Sequence, residues 1–251
     1  MTLKALIFDV DGTLAETEKD GHRVAFNLAF ENAGLPWRWD VDIYGSLLEV
    51  GGGKERLRHY ISHYNPNFIT KEPLDQFIRS LHQQKSHYFR RLLVNNAIPL
   101  RIGVERLIVE AYQKGIILAI ASTADEENVK AFLDTSLGEE RSKYFAVVAA
   151  GDMVKKKKPA PDIYLLALER LNISSKNCLA IEDTNQGLIA ATKAGIKTII
   201  TVNDYSKNQN FDEAILVLNS LGEPNLPFSV IKGNSYNHFY FNIDLAQKLL
   251  G

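Results

Sequence analysis

Residues 4–16 read KALIFDVDGTLAE, an apolar run that ends on two aspartates one residue apart. Residues i and i+2 of a strand point the same way, so Asp9 and Asp11 present both carboxylates to one place as the strand ends. Two carboxylates about 4 Å apart repel by roughly 1 kcal/mol in water, and several-fold more at the edge of a core. Folding gains nothing from such a pair. Chemistry does: one carboxylate serves as nucleophile, the other as proton shuttle, and a cation holds them together. Gly12 permits a sharp exit and lets backbone N–H groups approach a phosphate closely, and Thr13 can orient the second aspartate. A lone Asp-Gly is an ordinary turn; this one lies between a strand pattern and a helix pattern.

Three further stretches suit the same chemistry. In LAIASTADEEN, residues 118–128, Ser122 ends an apolar run ahead of a helix pattern. Its hydroxyl and the free N–H groups of a helix start suit a phosphate oxygen, although a serine there equally caps the helix. In KKKKPAPDIY, residues 155–164, Lys158 stands directly before Pro159, and Pro161 opens a helix. A lysine fixed at that point neutralises both a carboxylate nucleophile and an incoming phosphate. Lys157 is the alternative, and a solvated lysine loop is the plain reading. In LAIEDTNQGLIAATKAG, residues 179–195, Glu182 and Asp183 form a second acidic pair at a strand end. Mg²⁺ takes few carboxylates, a phosphate oxygen and waters. Asp9, the Asp11 backbone carbonyl and Asp183 supply such a set, with Glu182 joining directly or through water. Taken alone, this second pair reads as acids at a helix N-terminus. The four stretches together, each at a predicted strand end, describe phosphoryl transfer.

The elements that must position these residues follow from apolar periodicity. Short apolar runs over 3–8, 116–121, 146–149, 178–181 and 198–202 alternate with helix-period segments, which predicts a parallel sheet with right-handed crossovers. Ligands of such sheets bind beyond the carboxyl ends of the strands, where Asp9, Ser122, Glu182 and Asp183 fall. From 17 to about 95 the strand signal vanishes, and helices are predicted over 22–33, 42–48, 54–63 and 74–93. The expected fold is therefore α/β, a Rossmann-like parallel sheet core with an inserted all-helical cap. The expected division is 1–16 plus 97–222 as core and 17–96 as cap, with 223–251 as a C-terminal extension packing on the core.

Composition excludes several classes. The 251 residues are 45% hydrophobic and 24% charged with net charge −1, so nothing draws the chain to nucleic acid or an anionic membrane. No apolar run approaches the about 20 residues that span a bilayer. A single cysteine, Cys178, rules out an internal disulfide and suits a reducing compartment; its apolar surroundings mark it as core. The first strand pattern starts by Leu3, so no leader is expected. The expectation is a cytoplasmic monomer.

DVDGT, the strand end at Ser122, Lys158-Pro159 and EDTNQG match in order the four motifs of the haloacid dehalogenase superfamily, which the chain resembles over about residues 3–205. The resemblance implies that superfamily's fold, a helical cap inserted after the first motif, and Mg²⁺ held around Asp9, Asp11, Glu182 and Asp183. Within the subfamily that includes beta-phosphoglucomutase and phosphoglycolate phosphatase, DVDGTLAETE, GGKERL, AAGDMV and WRWD are most similar to the CbbY-type sugar-bisphosphate phosphatases. Those enzymes act on xylulose-1,5-bisphosphate, an inhibitor made by misfiring of Rubisco; in a photosynthetic eukaryote the resemblance implies the plastid stroma.

The cap itself suits a second anion. In GGGKER, residues 51–56, Gly52 and Gly53 offer backbone N–H groups at a helix start, with Lys54, Glu55 and Arg56 following. It is no Walker loop, because Leu48 and Glu55 stand where Gly and Ser or Thr are required. A flexible turn before an amphipathic helix is the plain reading. His82 and Lys85, i and i+3 on one helix face, can join the same pocket or face solvent. The resemblance also implies substrate contacts at Glu18, Tyr44, Thr123 and Asn128. It departs at ETEKDGHRVAF, which has one residue more before His22 than the usual spacing; this unsettles any family role for His22.

The expected reaction is attack by Asp9 on phosphorus, with Asp11 as acid and then base, and a cap that closes over the sugar. A sugar phosphomutase and a phosphate-responsive protein without catalysis are the alternatives.

Overall fold

The computed structural model describes residues 2–95 and 98–251, and the chain divides into two compact units, 1–16 with 99–251 and 17–98. The boundary expected at 96/97 lies outside the described residues.

The first unit is built on a sheet of seven strands among the described residues, in the order β3-β2-β1-β4-β5-β6-β7. These are β1 (Ala5–Phe8), β2 (Ile117–Ala121), β3 (Phe145–Ala149), β4 (Cys178–Glu182), β5 (Lys197–Thr201), β6 (Leu216–Leu218) and β7 (Val230–Gly233). All pairings are parallel except β6 with β7. Helices follow the strands: α5 (Val104–Gln113) precedes β2, α6 (Glu126–Leu137) and α7 (Glu139–Ser142) precede β3, and α8 (Asp162–Leu171), α9 (Asn185–Lys193) and α10 (Ile243–Leu250) complete the unit.

The strand sequences explain the layering. β1 and β4 are buried along their whole length, as expected of strands with helices on both faces. On one face Ala5, Ala119, Ala121, Cys178 and Ala180 are small. They let Ile163, Tyr164 and Ala167 of α8 and Ala190 and Ala191 of α9 pack close to the sheet. Cys178 belongs to this core, and burial pushes its thiol up to about 11, so it is no nucleophile.

The C-terminal segment contributes the antiparallel edge β7 and α10. Asn242 caps α10 through the Leu245 N–H, and Lys197 Nζ donates to the Leu249 and Leu250 carbonyls. The sequence reading has no strand at β6; three residues are too short a run to stand out.

The second unit holds α1 (Arg23–Asn32), α2 (Val41–Leu47), α3 (Gly53–Tyr64) and α4 (Leu74–Val94). Trp39, Tyr44, Phe26 and Phe30 are fully buried in its centre, with Phe26 and Trp39 4.6 Å apart. α4 buries Ile78, Leu81, His82, Lys85, Ser86, Phe89 and Leu93 on one stripe. The helix expected from His22 starts earlier, with a π-helical turn over Glu18–His22. In that turn the Arg23 N–H donates to the Glu18 carbonyl. Such a turn absorbs one extra residue without disturbing the helix beyond it, which answers the departure in spacing before His22.

Candidate active site

Register decides what meets at the sheet's carboxyl end. Phe8 is paired with Ile120 and Ile181 on its two neighbours, so the residues that follow, Asp9, Ala121 and Glu182, stand side by side. Gly12 turns the chain away with φ +87°. A Cβ there would collide with the Asp183 carboxylate, so only glycine fits.

Lys158 is the centre of the constellation. Its Nζ donates to Asp9 Oδ1 at 2.6 Å, Glu182 Oε1 at 2.5 Å and the Ala121 carbonyl at 2.9 Å, which uses all of an ammonium's donors. Lys158 is buried, whereas Lys155 and Lys156 are exposed and Lys157 is half-buried, so the choice left open between Lys157 and Lys158 falls on Lys158. Glu182 also accepts from Tyr164 Oη at 2.5 Å, and its carboxylate fills the space where a side chain at Gly187 would be. Asp183 Oδ2 accepts from Asn203 Nδ2 at 2.7 Å, and Oδ1 from Thr13 Oγ1 at 3.4 Å.

The electrostatics are those of a site short of positive charge. Burial raises the Asp9 carboxyl to about 7, against the pull of Lys158 and helped by Glu182 and Asp11. Asp183 is pushed well above the carboxylate range by burial and then by Asp9 and Glu182. Burial alone would discharge Lys158, but the carboxylates of Asp9 and Glu182 outweigh it and hold the ammonium above its usual value. Oxygen atoms of Asp9, Glu182 and Asp183 lie within 4.8 Å of one another, all buried. Hard oxygen donors grouped so closely fit a divalent cation. The Asp11 side chain is outside that trio and half-buried.

Ser122 is fully buried but does not cap the next helix. Its Oγ accepts from the Ala124 N–H at 3.1 Å, and Asp125 is the cap residue of α6. Thr123 is half-buried, and Asn128 is buried with Nδ2 3.4 Å from Asp125 Oδ2.

In the second unit, Tyr44 Oη donates to Glu18 Oε2 and accepts from Arg56 Nη1 at 2.8 Å. Arg56 Nε also donates to the Leu47 carbonyl at 3.1 Å. The GGGKER stretch therefore divides: Arg56 is turned inward, while Lys54 and Glu55 are exposed. Gly52 has φ +98°, and a Cβ on Gly53 would lie 2.5 Å from His82 Nε2. His82 and Lys85 are both buried, so a solvated face is ruled out for them. Lys85 Nζ lies 2.8 Å from His22 Nδ1.

The model of haloacid dehalogenase-like hydrolases matches residues 3–195. The chain belongs to that family. Among its relatives, CbbY of Cupriavidus necator is 44% identical over 225 residues, 90% of this chain and 88% of that one. The phosphorylated carbohydrates phosphatase of Thermotoga maritima is 32% identical, over 80% and 85%. The crystal structure of a mutant CbbY from Rhodobacter sphaeroides in complex with xylulose-(1,5)bisphosphate superimposes with a TM-score of 0.81, at 41% identity, covering 87% of this chain and 95% of that one. As a haloacid dehalogenase-like hydrolase of this kind, the protein is a phosphoric monoester hydrolase, and its fold is the Rossmann-like one of CbbY.

Three residues that bond to the candidate site and the loop beside it escape motif reading: Tyr164, Asn203 and Arg101. Tyr164 reads as an apolar position of a helix. Asn203 lies just past β5, at the sheet end where ligands bind, and that position was its only signal. Arg101 donates to the carbonyls of Gly12, Thr201 and Val202 and pairs with Glu16 at 2.9 Å; nothing in the local sequence announces those partners.

Proposed function

We propose that the protein is an Mg²⁺-dependent phosphatase of sugar bisphosphates of the xylulose-1,5-bisphosphate type. The observation that carries this reading is the lysine-bridged pair Asp9–Lys158–Glu182 beside Asp183, in a chain whose CbbY relative was crystallised with that sugar. Asp9 attacks phosphorus in line, forming an acyl phosphate as the ester P–O bond breaks. Lys158 holds Oδ1, which leaves Oδ2 for the attack. Asp11 gives its proton to the leaving sugar oxygen, then takes one from the water that attacks phosphorus and restores Asp9. Lys158 and Ser122 stabilise the charge on the non-bridging oxygens. When bound by Asp9, Asp183 and the Asp11 carbonyl, with Glu182 directly or through water, Mg²⁺ neutralises charge on the carboxylates and phosphate.

In the cap, which we take to be the 17–98 unit, the Gly52–Gly53 turn, Lys54, Glu55 and His82 with Lys85 form the second anion site. Glu18, Tyr44 and Arg56 form its wall. Within the first unit, Thr123 and Asn128 contact the substrate beside Ser122. A screen over sugar mono- and bisphosphates that measures free phosphate tests the reading. Pentulose bisphosphates should rank first; isomerised sugar phosphate in place of free phosphate would make the protein a mutase, and a flat response to all substrates would make it non-catalytic. Lys54→Ala should raise KM for bisphosphates about 10-fold, the scale of one lost charge-assisted contact, and leave monophosphates unchanged. Equal losses on both would remove the second anion site.

A further inference from the structure

We infer that Asn203 is a positioning residue that aims the Asp183 carboxylate, and so sets the affinity of the acidic site for Mg²⁺; this rests on the metal reading above. Asn203 Nδ2 donates to Asp183 Oδ2 at 2.7 Å and lies 3.3 Å from the Gly12 carbonyl. It thereby ties the carboxylate to the loop that carries Asp11.

The amide cannot turn round. Its Oδ1 accepts from the N–H groups of Tyr205 at 2.9 Å and Ser206 at 3.1 Å, which need an oxygen, so the nitrogen faces Asp183. The Asn203 N–H donates in turn to Oγ of Ser206, which is fully buried, at 3.0 Å. A neutral donor suits this place. It orients an anion without adding charge that would compete with a cation, whereas a lysine would displace the metal and a carboxylate would repel Asp183. Arg101 reinforces the arrangement from behind by holding the Gly12, Thr201 and Val202 carbonyls. Partners one step removed from a metal govern its affinity because they fix the ligand's orientation, and their loss lowers affinity about 10–100-fold.

The test compares Asn203→Leu with Ser206→Ala, which weakens the same turn but leaves the amide in place. Melting temperature is followed against Mg²⁺ concentration on substrate-free protein, since a ligand that binds only the folded state raises it by mass action. Asn203→Leu should shift the Mg²⁺ midpoint upward about 10–100-fold, while Ser206→Ala keeps the wild-type midpoint. Equal midpoints in wild type and Asn203→Leu, or equal shifts in both variants, would reduce Asn203 to a turn residue and overturn the inference alone. A wild type that does not respond to Mg²⁺ would instead remove the metal reading and this inference with it. Should Asn203→Leu not fold, Asn203→Asp keeps the oxygen that Tyr205 and Ser206 require and puts in the donor's place a carboxylate oxygen that repels Asp183. It should lower kcat at least about 10-fold with KM within twofold; an unchanged kcat would overturn the inference.

Discussion

Asp9→Asn should abolish phosphatase turnover, by about 10⁵-fold, the scale on which covalent enzymes lose activity with their nucleophile. An amide neither attacks phosphorus nor leaves as a carboxylate, while the volume and the hydrogen bond from Lys158 Nζ to Oδ1 are retained. The same substitution should stabilise the metal-free protein at neutral and alkaline pH. Burial raises the Asp9 carboxyl from 3.8 to about 7, so between those values the folded state holds a proton that the unfolded state has lost. Stability from this group is therefore fully present below pH about 4 and is lost as pH rises toward about 7 and beyond. Asparagine removes that loss, so the variant's advantage in melting temperature should grow from pH 4 to pH 8, as a pH series of thermal melts would show. Added Mg²⁺ should raise the melting temperature of the wild type more than that of the variant, because the wild type offers the ion one more anionic ligand. Near-normal activity in Asp9→Asn would end the covalent proposal.

Lys158→Met carries the second large effect, on fold and chemistry together. The ammonium is the shared partner of Asp9 and Glu182, both buried. Removing one member of a buried ion pair costs about 3–5 kcal/mol, because the remaining charge stays out of water. Urea unfolding at pH 8 should show a loss of that size. It should shrink in acid, where Asp9 takes up a proton and no longer needs a counter-charge. Turnover should fall by about 10²–10³-fold or more, the effect of deleting one preorganised donor to a developing charge. A variant as stable as wild type at pH 8 would mean that the lysine is replaceable by solvent.

The candidate site was legible to different depths. Asp9, Lys158, Glu182 and Asp183 stood out because their types make sense only together; the structure joins Asp9, Lys158 and Glu182 by hydrogen bonds and brings an Asp183 oxygen within 4.8 Å of those of Asp9 and Glu182. Ser122 was legible as a strand end but not in its local role: three residues separate it from Glu126, so the cap of α6 passes to Asp125. In the second unit, spacing put His82 and Lys85 on one helix face but left inside and outside open. What turned that face inward is the aromatic stripe it shares, with Lys85 Nζ 5.2 Å from the Phe26 and Phe89 rings.

By itself, the amino-acid sequence determined the alternation of strands and helices, the helical insertion after the first strand and the chemical kinds of group that gather at the sheet's end. These are matters of periodicity and residue type, which act over a few neighbours. Tertiary structure alone decided which lysine of the run reaches Asp9 and Glu182, that Tyr164, Asn203 and Arg101 bond to Glu182, Asp183 and Gly12, and how a π-helical turn takes up the residue before His22. The choice of lysine and the contacts of Tyr164, Asn203 and Arg101 join residues far apart in the chain, of which a local pattern carries no record; the turn before His22 is local, but residue types alone do not say which backbone bond closes it.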